Sequence, residues 1–138
     1  MKKTGVWLDK NKALIVTLEN NKESLKIIPS NVEHYHVYGG SGTRFKGGPQ
    51  DVVQDRKYLE REKHQLKKYF ENIISKIKNT DALVLFGPGE AQVKLQKKIS
   101  DNYKELYEKL LANEKTDSMT YNQVKAWTRD FFSRDTTV

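Results

Sequence analysis

At 138 residues, 36% of them apolar, the chain has the length and composition of one domain with an ordinary core. The absence of cysteine excludes a disulfide framework, thiol catalysis and cysteine-based zinc sites, and three prolines with eight glycines are too few for a fibrous or disordered chain. A net charge of +7, from 25 Lys and Arg against 18 Asp and Glu, favours partners that carry phosphate.

The N-terminal stretch "MKKTGVWLDKNK" is basic, and charge returns at Asp9 before any apolar run develops, so no signal peptide is expected. No window approaches the roughly 20 apolar residues of a membrane span, and the expected setting is soluble and cytoplasmic, with no membrane partner. "TGVWLD" and "KALIVTLEN" are β-prone runs joined by the polar turn "DKNK", the pattern of a hairpin. In the third run, "SLKIIPSNVEHYHVY", Val32, His34 and His36 alternate with Glu33, Tyr35 and Val37. The Pro29-Ser30-Asn31 step is expected to bend this strand, interrupt it or mark an edge.

Gly39 to Gln50, "GGSGTRFKGGPQ", is a glycine-rich basic loop in which six of twelve residues are glycine or proline. A long helix is predicted from about Asp51 to Lys78, with Val52, Leu59, Leu66, Phe70, Ile73 and Ile77 as its apolar stripe. On another face Lys57, Arg61, His64 and Lys68 form a basic stripe of about three turns, interleaved with Glu60 and Glu62. "DALVLF" is apolar throughout, as expected of a strand buried on both faces. It runs through the tight turn "GPGE" into a helix with Ala91, Leu95 and Ile99 on one side.

"YKELYEKLLANEKTD" suits a helix by the spacing of Leu106, Leu110 and Leu111, and a strand, at least in its second half, by its place in the β-α alternation. Thr120 and Gln123 form a capping box for a last helix whose apolar face is Val124, Trp127 and Phe131. The predicted order is β-β-β-α-β-α-(β)-α, a mixed α/β sheet with helices packed on it, forming a single domain over residues 1–138.

Several chemistries can be weighed against these elements. His34 and His36 would share a strand face, but no convincing third ligand accompanies them, and no metal or cofactor is expected. The strand order is that of ribonuclease-H-like folds, whose nucleases hold Mg²⁺ on strand-end carboxylates; here Asp9, Asp81 and Glu90 are the candidates. Each has a structural reading instead: Asp9 begins a turn, Asp81 sits at the wrong end of its strand, and Glu90 suits a helix N-terminus. "GPGE" lacks the Lys-Ser/Thr of a nucleotide loop, and its proline removes an amide donor.

The loop "RFKGGPQD" carries two cations, two glycines that let the backbone approach another surface, and a glutamine able to orient a water. With the opening "GVWLDKNKALIVTL", the long basic helix, "LVLFGPGE" and the closing "MTYNQVKAWTRDFF", it resembles the middle domain of the archaeal and eukaryotic peptide-chain release factors and their ribosome-rescue relative Pelota. The likeness covers nearly the whole chain and points to the compact bacterial branch of that family. It implies a ribosome or tRNA partner and a fold of ribonuclease-H-like order.

In the release factors this loop ends in a Gly-Gly-Gln tip that helps water attack the peptidyl-tRNA ester. The resemblance carries that role onto Gly47, Gly48 and Gln50. Here Pro49 displaces the glutamine by one position, biases Gly48 toward extended backbone and removes one N–H. Such displacement can cost a water-positioning group on the order of 10²-fold, and Pelota-like members lack the tip and the hydrolysis. The sequence contains no counterpart of the family's codon-reading or partner-binding domains, so stop-codon recognition by this chain is not expected. The expected function is RNA contact through Arg44, Lys46, Lys57, Arg61 and Lys68. The alternatives are an ester hydrolase using Gln50 and a protein-interaction domain without nucleic-acid binding.

Overall fold

The computed structural model describes residues 1–32 and 49–136, with side chains described for 1–32 and 59–133. Its elements in chain order are β1 (Lys3–Leu8), β2 (Lys12–Glu19), β3 (Lys22–Pro29), α1 (Pro49–Ile77), β4 (Ala82–Gly87), α2 (Ala91–Asn102), α3 (Lys104–Glu108), β5 (Leu110–Lys115) and α4 (Tyr121–Thr136). The five strands form one sheet in the order β3-β2-β1-β4-β5. β1, β2 and β3 pair antiparallel, and β4 runs parallel to both β1 and β5. This is the mixed α/β sheet of ribonuclease-H-like order expected from the sequence.

Local chemistry sets the hairpins. Asp9 Oδ1 accepts hydrogen bonds from the amides of Asn11 (2.7 Å) and Lys12 (2.9 Å), which closes the β1–β2 turn. Glu19 pairs with Lys22, leaving a two-residue β2–β3 turn in which Asn20 and Asn21 have φ of 53° and 66°. Asparagine tolerates that left-handed backbone, and it suits the twist of a hairpin. β3 ends at Pro29, where Ser30 bonds back to Asn11 and Asn31 turns left-handed with φ 53°. The Pro29-Ser30-Asn31 step therefore ends the strand, and Val32 lies beyond it; His34 and His36 lie outside the described residues.

Strand alternation divides the core between two faces. Val6, Leu8, Ile15, Leu83 and Leu85 pack under α1, α2 and α3, against Phe70, Ile73, Ile77, Leu95, Ile99 and Leu106. Trp7, Leu14, Val16 and Phe86 pack under α4, against Val124 and the half-buried Trp127. All six residues of β4 are buried, as its unbroken apolar run requires of a central strand covered on both sides. Each fully buried aliphatic or aromatic side chain contributes about 1.5–3 kcal/mol of transfer free energy.

The segment with two sequence readings takes both in succession: Lys104–Glu108 is a short helix and Leu110–Lys115 an edge strand. A register shift between Leu83 and Val84 accompanies β5 onto the sheet. The capping box forms, with the Thr120 amide donating to Gln123 Oε1 (2.8 Å) and the Gln123 amide to Thr120 Oγ1 (3.2 Å). Leu59 departs from expectation. It is 53% exposed, because the core-facing side of α1 narrows to Leu66, Tyr69, Phe70, Ile73, Ile74 and Ile77.

Candidate nucleic-acid interface

α1 runs for 29 residues, about 43 Å at 1.5 Å per residue. Only its C-terminal part, from Leu66 onward, carries the side chains that pack on the sheet among the described residues. Tyr69 fixes the helix rotation. It is 2% exposed, and its hydroxyl donates to the main-chain oxygen of Asp9 at 3.0 Å. Burial, helped by the Asp9 carboxylate, pushes that hydroxyl well above the ordinary tyrosine range and keeps it a neutral donor.

With Tyr69, Phe70, Ile73 and Ile77 turned inward, the opposite side of α1 faces solvent. Arg61, His64 and Lys68 are exposed there, as the sequence spacing required. Lys57 and Gln50 belong to the same helix, but their side chains lie outside the described set. Arg44, Lys46, Gly47 and Gly48 lie outside the described residues altogether. The helix begins at Pro49, so the backbone of Gln50 belongs to its first turn. Proline is favoured there, since its missing N–H would have no intrahelical partner.

Two concavities border this helix. A cleft of about 560 Å³ lies outside the carboxyl ends of β1 and β4, lined by Asp9, Lys10, Glu62, Leu66, Glu90 and Lys94 among others. Crevices at that edge are where open α/β sheets place ligands. The carboxylates here do structural work: Asp9 locks the hairpin turn, and Asp81, at the other end of β4, accepts from the Lys2 amide at 2.7 Å. Glu90 stands at the N-terminus of α2 without a side-chain cap bond, where a negative charge meets the positive end of the helix dipole. No group of three or more His, Asp or Glu able to hold a metal occurs among the described residues.

The second concavity is a groove of about 320 Å³ between α1 and α2, with Leu66 and Phe70 among its lining residues. Lys63 and Lys67 line it from α1, and Lys94, Lys97 and Lys98 from α2. Sequence reasoning missed this cluster, because it is assembled from two helices separated by a strand. The only local signal is the recurrence of lysine at spacings of three and four in "EKHQLKK" and "VKLQKK".

The turn "GPGE" is a packing device. Gln92, 1% exposed, donates to the Gly87 carbonyl at 3.0 Å, and a Cβ on Gly87 would collide with the carbonyl oxygen of Leu8. Asn113 then ties β5 to α2 by donating to the Gln92 carbonyl (3.0 Å) and to Gln96 Oε1 (2.7 Å). Among the described residues, no helix is long and apolar enough to cross a membrane.

No protein-family model matches the chain, and no curated protein matches it in sequence. Solved structures do share the fold. Pelota of Archaeoglobus fulgidus superposes with a TM-score of 0.57 at 10% identity, over 96% of this chain and 31% of that one. An archaeal translation termination factor, aRF1, gives 0.52 at 12% identity, over 99% of this chain and 40% of that one. Pelota of Thermoplasma acidophilum gives 0.53 at 16% identity, over 88% and 30%. The chain thus spans 30% to 40% of the length of these structures and shares the fold of that portion.

Proposed function

We propose that the chain is a ribosome- or tRNA-associated protein built like the middle domain of a release or rescue factor, and that it acts by binding rather than by catalysis. The observation that carries this reading is the exposed basic face of α1, at Arg61, His64 and Lys68, on a fold shared with Pelota and aRF1. In this reading residues 1–138 form one such domain, and Lys57, Arg44 and Lys46 add their charge to the same RNA contact.

The test is ribosome co-sedimentation across a salt series. Wild type is expected to pellet with ribosomes at low salt and to be released steeply through the physiological range, because neutralised phosphates give up counterions. The variant Lys57→Glu/Arg61→Glu/Lys68→Glu is expected to stay in the supernatant where wild type pellets. Binding indifferent to salt would remove these residues from the interface. Absence of binding at low salt would leave a protein-interaction domain as the better reading.

A second reading is supported by "GGPQ" at the entrance to α1. There Gln50 would orient water on a peptidyl-tRNA ester, with Gly47 and Gly48 admitting the backbone to the ribosomal centre. It requires ester release on stalled ribosomes that Gln50→Ala abolishes. No release, or release that survives the substitution, ends it.

A further inference from the structure

We infer that the lysine groove between α1 and α2 is a second docking surface, one that takes the phosphate backbone of RNA. Five lysines line it from both walls, and Asp101 is the one carboxylate among its lining residues. Lys63, Lys67 and Lys94 have no ion-pair partner among the described residues. Lys97 meets Asp101 at 3.5 Å on the exposed side of α2, and Lys98 meets Glu71 at 3.7 Å. Three cations are thus uncommitted in a concave site, in a protein of net charge +7.

The shape selects among anionic partners. Lys63 and Lys67 are one helical turn apart, about 6 Å along α1, and Lys94 and Lys97 about 4.5 Å apart along α2. Two such rows flanking a trough suit a chain of regularly spaced charges. A flat lipid surface would meet the rims and leave the trough unfilled. Lysine is a point charge that binds phosphate without fixed geometry, whereas phosphopeptide sites rely on clustered arginine. The half-buried Leu66 in the lining gives the sugar edges of a nucleic acid an apolar surface.

The groove is also placed to cooperate with the basic face of α1. At 100° per residue, Lys63 and Lys67 lie about 130° and about 90° around the helix axis from the centre of the Lys57–Lys68 stripe. The groove and the stripe are therefore different faces of one helix and can hold different stretches of backbone. At its Lys94 and Leu66 end the groove meets the cleft beyond β1 and β4, for those two residues line both. The choice of RNA over other nucleic acid rests on the function proposed above.

The experiment is a fluorescence-anisotropy titration of a labelled RNA hairpin of about 16 base pairs, a span over which proteins read duplex RNA by shape. Wild type is compared with the groove variant Lys63→Gln/Lys67→Gln/Lys94→Gln/Lys97→Gln and the stripe variant Lys57→Gln/Arg61→Gln/Lys68→Gln. The groove variant is expected to bind at least about tenfold more weakly. The slope of log affinity against log salt is expected to fall by about 3, at roughly 0.7–0.9 for each phosphate that is no longer neutralised. Lys94→Gln/Lys97→Gln alone should show about half that change in slope, and guards against misfolding of the fourfold variant.

Unchanged affinity and slope in the groove variants overturn the proposal, as does a wild type that does not bind the hairpin. Loss confined to the stripe variant overturns the groove and leaves the proposed function standing. Loss in the groove variants, in a protein that fails to pellet with ribosomes, supports the groove and removes the ribosome.

Discussion

The hydroxyl of Tyr69 donates a 3.0 Å hydrogen bond to the main-chain oxygen of Asp9, joining α1 to the carboxyl end of β1 across 60 residues of sequence. The Asp9 carboxylate accepts at the same time from the amides of Asn11 and Lys12. One residue thus closes the first hairpin and holds the long helix. Turning α1 about its axis would break this bond, and the same turn would move Arg61 and Lys68 off the outward face. The polar anchor therefore sets the orientation of the proposed RNA-binding surface.

Tyr69→Phe is expected to lower stability by about 1–3 kcal/mol, the cost of leaving the Asp9 carbonyl without its buried donor. Its pH dependence is diagnostic. An ordinary tyrosine ionises near pH 10, and burial holds Tyr69 protonated above that in the folded state. Above about pH 10 the unfolded chain loses this proton while the folded chain keeps it, so stability falls as pH rises. Below that pH the contribution is fully present. Urea unfolding at pH 8 and pH 11 should therefore show a steeper alkaline loss in wild type than in the variant, and equal losses would show that Tyr69 is not held protonated.

Gly5 sits under α4, where a Cβ would fall 2.6 Å from Thr128 Oγ1 and 2.7 Å from its Cγ2. The Thr128 hydroxyl already donates to the Val124 carbonyl at 2.9 Å, which limits its freedom to turn away. Gly5→Ala is expected to cost about 1–3 kcal/mol through overpacking. Thr128→Ala should relieve part of it, giving a favourable coupling in a double-mutant cycle measured by thermal unfolding. Strict additivity would show that the two residues do not meet.

Thr80 is fully buried where α1 hands over to β4, and its Oγ1 lies 2.8 Å from Thr4 Oγ1, 3.0 Å from the Lys2 carbonyl and 2.9 Å from the Ala82 carbonyl. Thr80→Val strands the Thr4 hydroxyl in the core and is expected to cost about 1–3 kcal/mol. Adding Thr4→Val removes the stranded group, so the double variant should be less destabilised than the sum of the singles. Chemical denaturation of all three variants decides it.

The sequence was most readable where one local rule acts alone. The apolar run of β4, the capping box at Thr120 and Gln123, and the turn at Asp9 all appear as spacing and residue type would have them. Where tertiary context decides, spacing was a weaker guide. Leu59 fits the apolar period of α1 yet is exposed, while Tyr69 and Ile74, off the chosen stripe, are buried. Val124 led to the buried side of α4, but Thr128 and Phe132 complete it, with Trp127 and Phe131 only half-buried. The lysine groove had no continuous sequence signal, since its walls are brought together by the packing of two helices.

Pro49 supplies the last expectation, because it opens α1 directly before Gln50. A proline at the first helical position has no hydrogen bond to lose, and its fixed φ suits the helix. Pro49→Ala is therefore expected to change stability by less than about 1 kcal/mol and to leave helicity by circular dichroism unaltered. The glutamine beside it lies in the first turn of a helix whose outer face is proposed to bind through charge, so Gln50→Ala should leave ribosome co-sedimentation at low salt unchanged. The charge-reversal variant of Lys57, Arg61 and Lys68 should abolish it under the same conditions. If Gln50→Ala instead weakens binding as much as the charge reversal does, the contact is centred on the loop-to-helix junction and not on the basic face of α1.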